Sequence, residues 1–215
     1  MTPPVALANK PTYRNDLDAL RGVSVLLVVA YHAFPDAVPG GFIGVDIFFV
    51  ISGFLITKII SEDIQAQKFS LMKFYARRIR RLLPPLLLVL ATTLIAGWLV
   101  LFPDEYRLLG THLFKSAIFL QNFQLIEGQG YFDVESHYKP LLHLWSLSVE
   151  EQYYLAWPLV LLTCYTRFNP IIVIFIVTLT SFVLNLYLIN ETTDVSFYHS
   201  AGRVWELALG SLLAI

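Results

Sequence analysis

The stretch GFIGVDIFFVISGFLITKII, residues 41–60, contains only two charged residues, Asp46 and Lys58. A helix needs about 20 mostly apolar residues to cross a bilayer, so this stretch predicts a membrane-spanning helix. The whole chain has the same character: 56% of its 215 residues are hydrophobic and 14% are charged. About a quarter of the residues in a soluble domain are charged. We therefore predict an all-α, polytopic transmembrane helix bundle.

Other apolar stretches predict the remaining helices. The six predicted spans are 17–34, 41–60, 82–101, 108–123, 144–164 and 171–189. A seventh begins near Arg203 and is still apolar at Ile215. We therefore expect residues 1–215 to form one transmembrane domain that is incomplete at its C-terminus.

Lysine and arginine are concentrated in one predicted loop, and this bias predicts the orientation. The loop 61–81 contains Lys68, Lys73, Arg77, Arg78, Arg80 and Arg81. Cytoplasmic loops carry such an excess, so we place this loop and the N-terminus in the cytoplasm.

The fourth predicted span, 108–123, is the least apolar. The predicted loops 127–139 and 190–202 are both acidic, which favours the outer side for both. Both can lie outside only if 108–123 dips into the membrane and returns, or lies at its surface. We favour a re-entrant segment over a full crossing; such backbone requires surrounding protein or a water-filled cavity.

Ionisable residues inside apolar spans mark candidate functional sites. Arg21 and His32 are eleven positions apart, which is three helical turns plus about 20°, so they share one face. Asp46 lies a few residues inside the second span. Each has a structural alternative: Arg21 reaches the headgroups, His32 is interfacial, and Asp46 lies at a helix N-terminus.

The fifth span combines several polar side chains. His143, Glu150 and Tyr154 form a stripe close to one helix face, whereas Glu150 and Glu151 point about 100° apart and should not line one cavity wall. A water-facing helix start is the alternative interpretation. The aromatic residues predicted at the membrane interface are Trp145, Tyr153 and Trp157.

Two further groups of charges allow two interpretations each. Arg203 and Glu206, at i and i+3, either neutralise each other or bind substrate. The run FYARRIRRLLP, residues 74–84, is either a topology signal or a site for an anionic cytosolic donor, since guanidinium groups bind phosphate bidentately. An acid–base site in the outer half and an anion site in the cytoplasm together favour transfer of a group across the bilayer.

Six stretches together resemble the acyltransferase-3 family of bacterial membrane O-acyltransferases, which modify lipopolysaccharide, peptidoglycan and related envelope glycans. In order they are YRNDLDALRGVSVLLVVAYH, PGGFIGVDIFFVISGFLIT, FYARRIRRLLP, GYFD, PLLHLWSLSVEEQYYLAWP and RVWELALGSLLA. The resemblance runs from about Tyr13 to the end of the chain. It implies a multi-pass protein of the bacterial inner membrane with a cytoplasmic N-terminus. It also implies an extracytoplasmic SGNH-type domain or protein as a partner.

The resemblance implies transfer of an acyl group, typically acetyl, from cytosolic acyl-CoA such as acetyl-CoA to a hydroxyl of an envelope polysaccharide outside the membrane. His32 would be the base or the acyl acceptor, oriented by Asp46 or Glu150. Arg21 would stabilise the thioester oxyanion or the pantetheine chain. The residues expected to bind the CoA phosphates are Arg78 and Arg81, with Arg77 and Arg80 in an overlapping register. The residues expected to bind substrate are Glu151, His143, Arg203 and Glu206.

Other classes are less favoured by the sequence. A net charge of −1 gives no indication of nucleic acid binding, and the single cysteine, Cys164, excludes a cysteine-based metal cluster; we expect no metal. An inactive fragment or membrane scaffold is one alternative. A proton-coupled transporter is another, for which inverted repeats with paired broken helices would be expected.

Overall fold

The computed structural model describes residues 14–127, 139–191 and 193–215. These residues form helices and no strand, so the prediction of an all-α fold is confirmed. The helices are α1 (Asn15–Ala33), α2 (Ile43–Gln65), α3 (Leu71–Val100), α4 (Pro103–Ala117), α5 (Gln121–Glu127), α6 (Leu144–Arg167), α7 (Pro170–Glu191), α8 (Thr193–Tyr198) and α9 (Ser200–Leu212). The GYFD stretch at 130–133, which contributed to the resemblance, lies outside the described residues.

Among the described helices, α2, α3 and α7 are long and apolar enough to cross a membrane. They coincide with the predicted spans 41–60, 82–101 and 171–189. The predicted spans 17–34 and 144–164 are also helical, as α1 and α6 with 19 and 24 residues. Charged side chains lower the apolar character of α1 and α6, so their crossing of the membrane stays a prediction.

The basic segment before the third predicted span is helical. α3 begins at Leu71, and Ser70 caps it by accepting a hydrogen bond from the N–H of Lys73 at 3.4 Å. The prediction of a loop extending to Arg81 was therefore wrong, because the connection to α3 ends at Ser70. Arginines and apolar residues consequently follow one another on a single helix of 30 residues.

The fourth predicted span is broken into two helices. α4 and α5 contain 15 and 7 residues, each too short to cross a bilayer, so a single crossing helix is excluded. Between them, the N–H of Leu120 donates to the carbonyl of Lys115 at 2.8 Å, and Phe119 has a φ of 57°. Glycine usually takes this left-handed position at a helix end.

The two short helices are linked by an ion pair. Lys115 Nζ, near the end of α4, lies 3.6 Å from Glu127 Oε2 at the end of α5. The turn 118–120 thus separates two helices that remain in contact, and the re-entrant position of this segment stays a prediction.

Glycines bring α2 and α9 close together. Gly53 lies against the main chain of Leu207, and Gly210 lies against the main chain of Val50, so a Cβ at either glycine would overlap backbone atoms. Small residues at helix interfaces permit this approach in membrane proteins. The crossing is also held by Ser211, whose hydroxyl donates to the carbonyl of Gly53 at 3.2 Å.

Aromatic and hydroxyl side chains fill the core between α2, α6 and α9. Trp157 Nε1 donates to Thr57 Oγ1 at 2.6 Å, and Thr57 in turn donates to Ser211 Oγ at 2.7 Å. Trp145, Tyr153 and Trp157 are only 6%, 4% and 2% exposed. The prediction that they lie at the membrane interface was therefore wrong, because their polar atoms or ring faces find partners inside the bundle.

Candidate functional site

A first cluster of charged side chains joins α3 to α6. Arg78 Nε lies 2.8 and 2.9 Å from the two carboxylate oxygens of Glu151, and Arg78 Nη2 also donates to Glu151. This is a bidentate pair between a guanidinium and a carboxylate. The side chains of Arg78 and Glu151 are 23% and 11% exposed. The Nε and Nη2 donors of Arg78 are therefore already used by Glu151.

Glu150 belongs to the same cluster. Its Oε1 accepts a hydrogen bond of 2.7 Å from the hydroxyl of Tyr154, and it lies 3.9 Å from Arg78 Nη2. The Arg78 guanidinium stacks on the Tyr154 ring, 3.5 Å from its centroid, in a cation–π contact. The structure thus brings Glu150 and Tyr154 together, as the stripe on α6 predicted.

An apolar cavity of about 230 Å³ opens beside this cluster, between α3, α6 and the α4–α5 turn. Arg78 and Glu151 lie at its wall as a neutralised pair. The other lining residues are Tyr75, Ile79, Leu82, Leu83, Phe119, Tyr154 and Leu155. Glu150 does not line it, which agrees with the predicted 100° between the adjacent glutamates, yet both carboxylates meet the long Arg78 side chain.

A second cluster joins α2 to α9. Arg203 Nη2 donates to Asp46, and Arg203 Nη1 lies 3.1 Å from Glu206 Oε1, so the predicted i, i+3 pair is present. The rings of Phe49, Trp145 and Phe197 surround the Arg203 guanidinium, with centroids 5.8, 5.7 and 5.4 Å away. Glu206 is 1% exposed. The buried guanidinium of Arg203 therefore pairs with the carboxylates of both Asp46 and Glu206, and aromatic rings surround it.

The helix α1 carries Arg21 and His32, as predicted. The His32 Nδ1–H donates to the carbonyl of Val28 at 2.8 Å, which leaves Nε2 with its lone pair. His143, which precedes α6, is exposed. Arg21 packs over the Phe48 ring, 5.1 Å from its centroid.

The expected partner of His32 is different in the structure. We predicted that Asp46 or Glu150 orients the imidazole, but Asp46 pairs with Arg203 and Glu150 accepts from Tyr154. The carbonyl of Val28 fixes the tautomer instead. Most of the predicted site residues therefore fall into three groups: the Arg78 cluster (Arg78, Glu150 and Glu151), the Arg203 cluster (Asp46, Arg203 and Glu206), and the α1 pair of Arg21 and His32.

The other arginines of α3 are more accessible than Arg78. Arg77, Arg80 and Arg81 are exposed. Arg77 Nη2 lies 3.7 Å from Asp63 Oδ2. Among the described residues, no group of three or more His, Cys, Asp or Glu is arranged to hold a metal ion. The site is organised by ion pairs and hydrogen bonds.

Sequence reasoning missed the polar clamp around the α4–α5 turn. Gln152 Nε2 donates to the carbonyl of Phe119 at 2.7 Å and to Asn122 Oδ1 at 3.0 Å. Asn122 donates in turn to the carbonyl of Tyr198 at 3.0 Å and to Ser200 Oγ at 2.8 Å. The available signal was the presence of amide side chains in apolar segments, which require partners when buried.

A family model described as an acyltransferase domain matches residues 14–215. The chain is 44% identical over 179 residues to an uncharacterized protein of Haemophilus influenzae, a match that covers 79% of this chain and 73% of that protein.

Two relatives carry functional names. The chain is 37% identical over 211 residues to O-acetyltransferase OatA of Staphylococcus aureus, covering 95% of this chain and 35% of OatA. It is 38% identical over 216 residues to YrhL of Bacillus subtilis, described as a candidate peptidoglycan O-acetyltransferase, covering 94% of this chain and 33% of YrhL. The chain thus spans about a third of the length of these two relatives. No solved structure matches it.

Proposed function

The chain belongs to the acyltransferase-3 family, and on that premise we propose that it transfers an acyl group, typically acetyl, from cytosolic acyl-CoA to a hydroxyl of a cell-envelope polysaccharide. The acceptor would be lipopolysaccharide O-antigen, peptidoglycan or a similar glycan at the outer side of the inner membrane. The N-terminus would lie in the cytoplasm, in agreement with the basic start of α3.

The observation that carries this proposal is the state of His32. Its Nδ1–H is committed to a backbone carbonyl, so Nε2 is the nitrogen that can take a proton. His32 is exposed, which leaves Nε2 accessible to an acceptor. An alcohol is a poor nucleophile until a base removes its proton, and imidazole suits this task near neutral pH.

The proposed reaction is one acyl transfer. The His32 Nε2 takes the proton of the glycan hydroxyl, and the hydroxyl oxygen attacks the thioester carbonyl carbon. The tetrahedral intermediate collapses as its C–S bond breaks, and the imidazolium returns the proton to the leaving CoA thiolate. A C–O ester bond replaces the thioester. In the alternative route the acyl group first rests on His32 itself.

The remaining roles follow from exposure and distance. The exposed arginines Arg80 and Arg81, together with the exposed Arg77, would bind the CoA phosphates, since Arg78 is engaged by Glu151. Arg21 lies roughly 16 Å along the helix axis from His32, so contact with the pantetheine chain suits it better than contact with the oxyanion.

The contacts also indicate which of the predicted residues would bind the acceptor glycan. Of the residues predicted to bind substrate, Glu151 pairs with Arg78, while Arg203 and Glu206 pair inside the bundle. His143 is exposed, and we assign the acceptor contact to it. An extracytoplasmic SGNH-type domain or protein would be a partner on the outer side.

The test is the O-acetyl ester content of envelope polysaccharides, measured by mass spectrometry in cells that produce wild-type protein or His32→Ala. The wild type should add an acetyl mass to one glycan, and His32→Ala should lose it while its membrane content, followed by immunoblot, stays equal. Near-normal acetylation by His32→Ala would remove His32 from the mechanism. No acetyl difference between wild-type and non-producing cells would overturn the proposed activity.

A further inference from the structure

Tyr154 is buried and contacts two residues of the Arg78 cluster, Arg78 and Glu150. Its ring face supports the Arg78 guanidinium at 3.5 Å, and its hydroxyl donates to Glu150 Oε1 at 2.7 Å. Tyr154 also lines the cavity that Arg78 and Glu151 border. A single side chain therefore contacts a cation through its ring and a carboxylate through its hydroxyl.

The charges of the cluster explain why this hydroxyl matters. Two adjacent carboxylates approach one guanidinium, and Glu151 takes both Nε and Nη2 of Arg78. Glu150 is left 3.9 Å from Nη2, which is beyond hydrogen-bond distance. Its hydrogen-bond donor is Tyr154. A buried charge without a hydrogen-bond donor is strongly disfavoured, so the hydroxyl holds Glu150 in place.

We propose that Tyr154 is a positioning residue for acyl transfer, holding Arg78 and Glu150 in one fixed arrangement at the cavity wall. The inference rests on the proposed function, in which the exposed arginines of α3, the helix that also carries Arg78, bind the CoA phosphates. Neither Tyr154 group takes part in bond making or breaking. The ring sets the position of the guanidinium, and the hydroxyl sets the position of the second carboxylate.

The chain offers a closely matched control in the neighbouring residue. Tyr153 is equally buried, but its hydroxyl bonds with Ser211 Oγ at 2.8 Å in the α2–α9 core, away from the cavity. Tyr153→Phe and Tyr154→Phe each delete one oxygen from a buried ring. Loss of stability alone would affect both variants, whereas loss of positioning would affect only Tyr154→Phe.

The experiment measures acetyl transfer from acetyl-CoA to envelope polysaccharide by the solubilised protein. Tyr154→Phe should lower kcat about tenfold or more, the size expected for a lost hydrogen bond to a charged group. Its KM for the polysaccharide should not change. Tyr154→Leu, which also removes the ring beneath Arg78, should lower kcat further. Tyr153→Phe should retain kcat within about twofold.

A double variant separates positioning from general damage. If Tyr154 acts through Glu150, Tyr154→Phe should have no further effect once Glu150→Gln is present, because the carboxylate it holds is gone. Full additivity of the two changes, or wild-type kcat in Tyr154→Phe, would overturn the inference while leaving the proposed function intact. Absence of acetyl transfer by the wild-type protein would instead refute the proposed function, and the inference with it.

Discussion

Replacing Gly53 by alanine should separate α2 from α9. A Cβ at Gly53 would overlap the carbonyl oxygen, the carbonyl carbon and the Cα of Leu207, all main-chain atoms of α9. No side-chain rotation relieves such an overlap, so the helices must move apart. That movement would strain the hydrogen bond from Ser211 to Gly53 and the nearby pair of Arg203 with Asp46.

The expected magnitude combines two opposing effects. Alanine in a helix is favoured over glycine by about 0.8–1.0 kcal/mol. Overpacking a tight core costs about 1–3 kcal/mol and sometimes more, and contact with backbone puts Gly53 at the upper end. We therefore expect Gly53→Ala to lower the free energy of unfolding by about 2 kcal/mol. Gly110 has open space around its Cβ position, so Gly110→Ala should raise it by up to about 1 kcal/mol.

The assay is denaturant unfolding in mixed micelles, followed by the fluorescence of the buried Trp145 and Trp157. The two alanine variants should shift the midpoint in opposite directions. Equal stability of Gly53→Ala and wild type, or a shift in the same direction as Gly110→Ala, would refute the close approach of α2 and α9.

Two other substitutions test donor binding by Arg81 and the contribution of Phe119 to stability. Arg81→Ala should raise the half-saturating acetyl-CoA concentration at least about threefold with little effect on kcat, because an exposed guanidinium contact with phosphate is lost. The measurement is the initial rate as a function of acetyl-CoA concentration. An unchanged dependence on acetyl-CoA would make the arginines a topology signal. Phe119→Gly should lower the free energy of unfolding by about 1–2 kcal/mol, since lost ring packing of about 3 kcal/mol outweighs about 1–2 kcal/mol of relieved backbone strain. Greater thermal stability of this variant would show that the ring contributes little.

Local features of the fold could be predicted from the sequence. Apolar length located the main helices, and helical periodicity placed Glu150 beside Tyr154 and Arg203 beside Glu206, because these pairs depend only on spacing along one helix. The partners across helices could not be predicted. Arg78 and Glu151 are 73 positions apart, and Arg203 and Asp46 are 157 apart, so their pairing depends on how the helices pack.

Composition also left two features ambiguous. Trp145 and Trp157 are suited both to a membrane interface and to a core, and only packing decides between them. The turn 118–120 reads Ile-Phe-Leu and contains neither glycine nor proline, the usual signals for a helix end. It is stabilised instead by Gln152, which comes from a helix that follows it in the sequence.

The clamp on the α4–α5 turn has a consequence for biogenesis. Asn122 is fully buried, and the partners of its side chain, Gln152, Tyr198 and Ser200, are all synthesised later in the chain. An unpaired amide is costly in hydrocarbon. The amide of Asn122 therefore gains these hydrogen bonds only after α6 and the segment 198–200 have been synthesised.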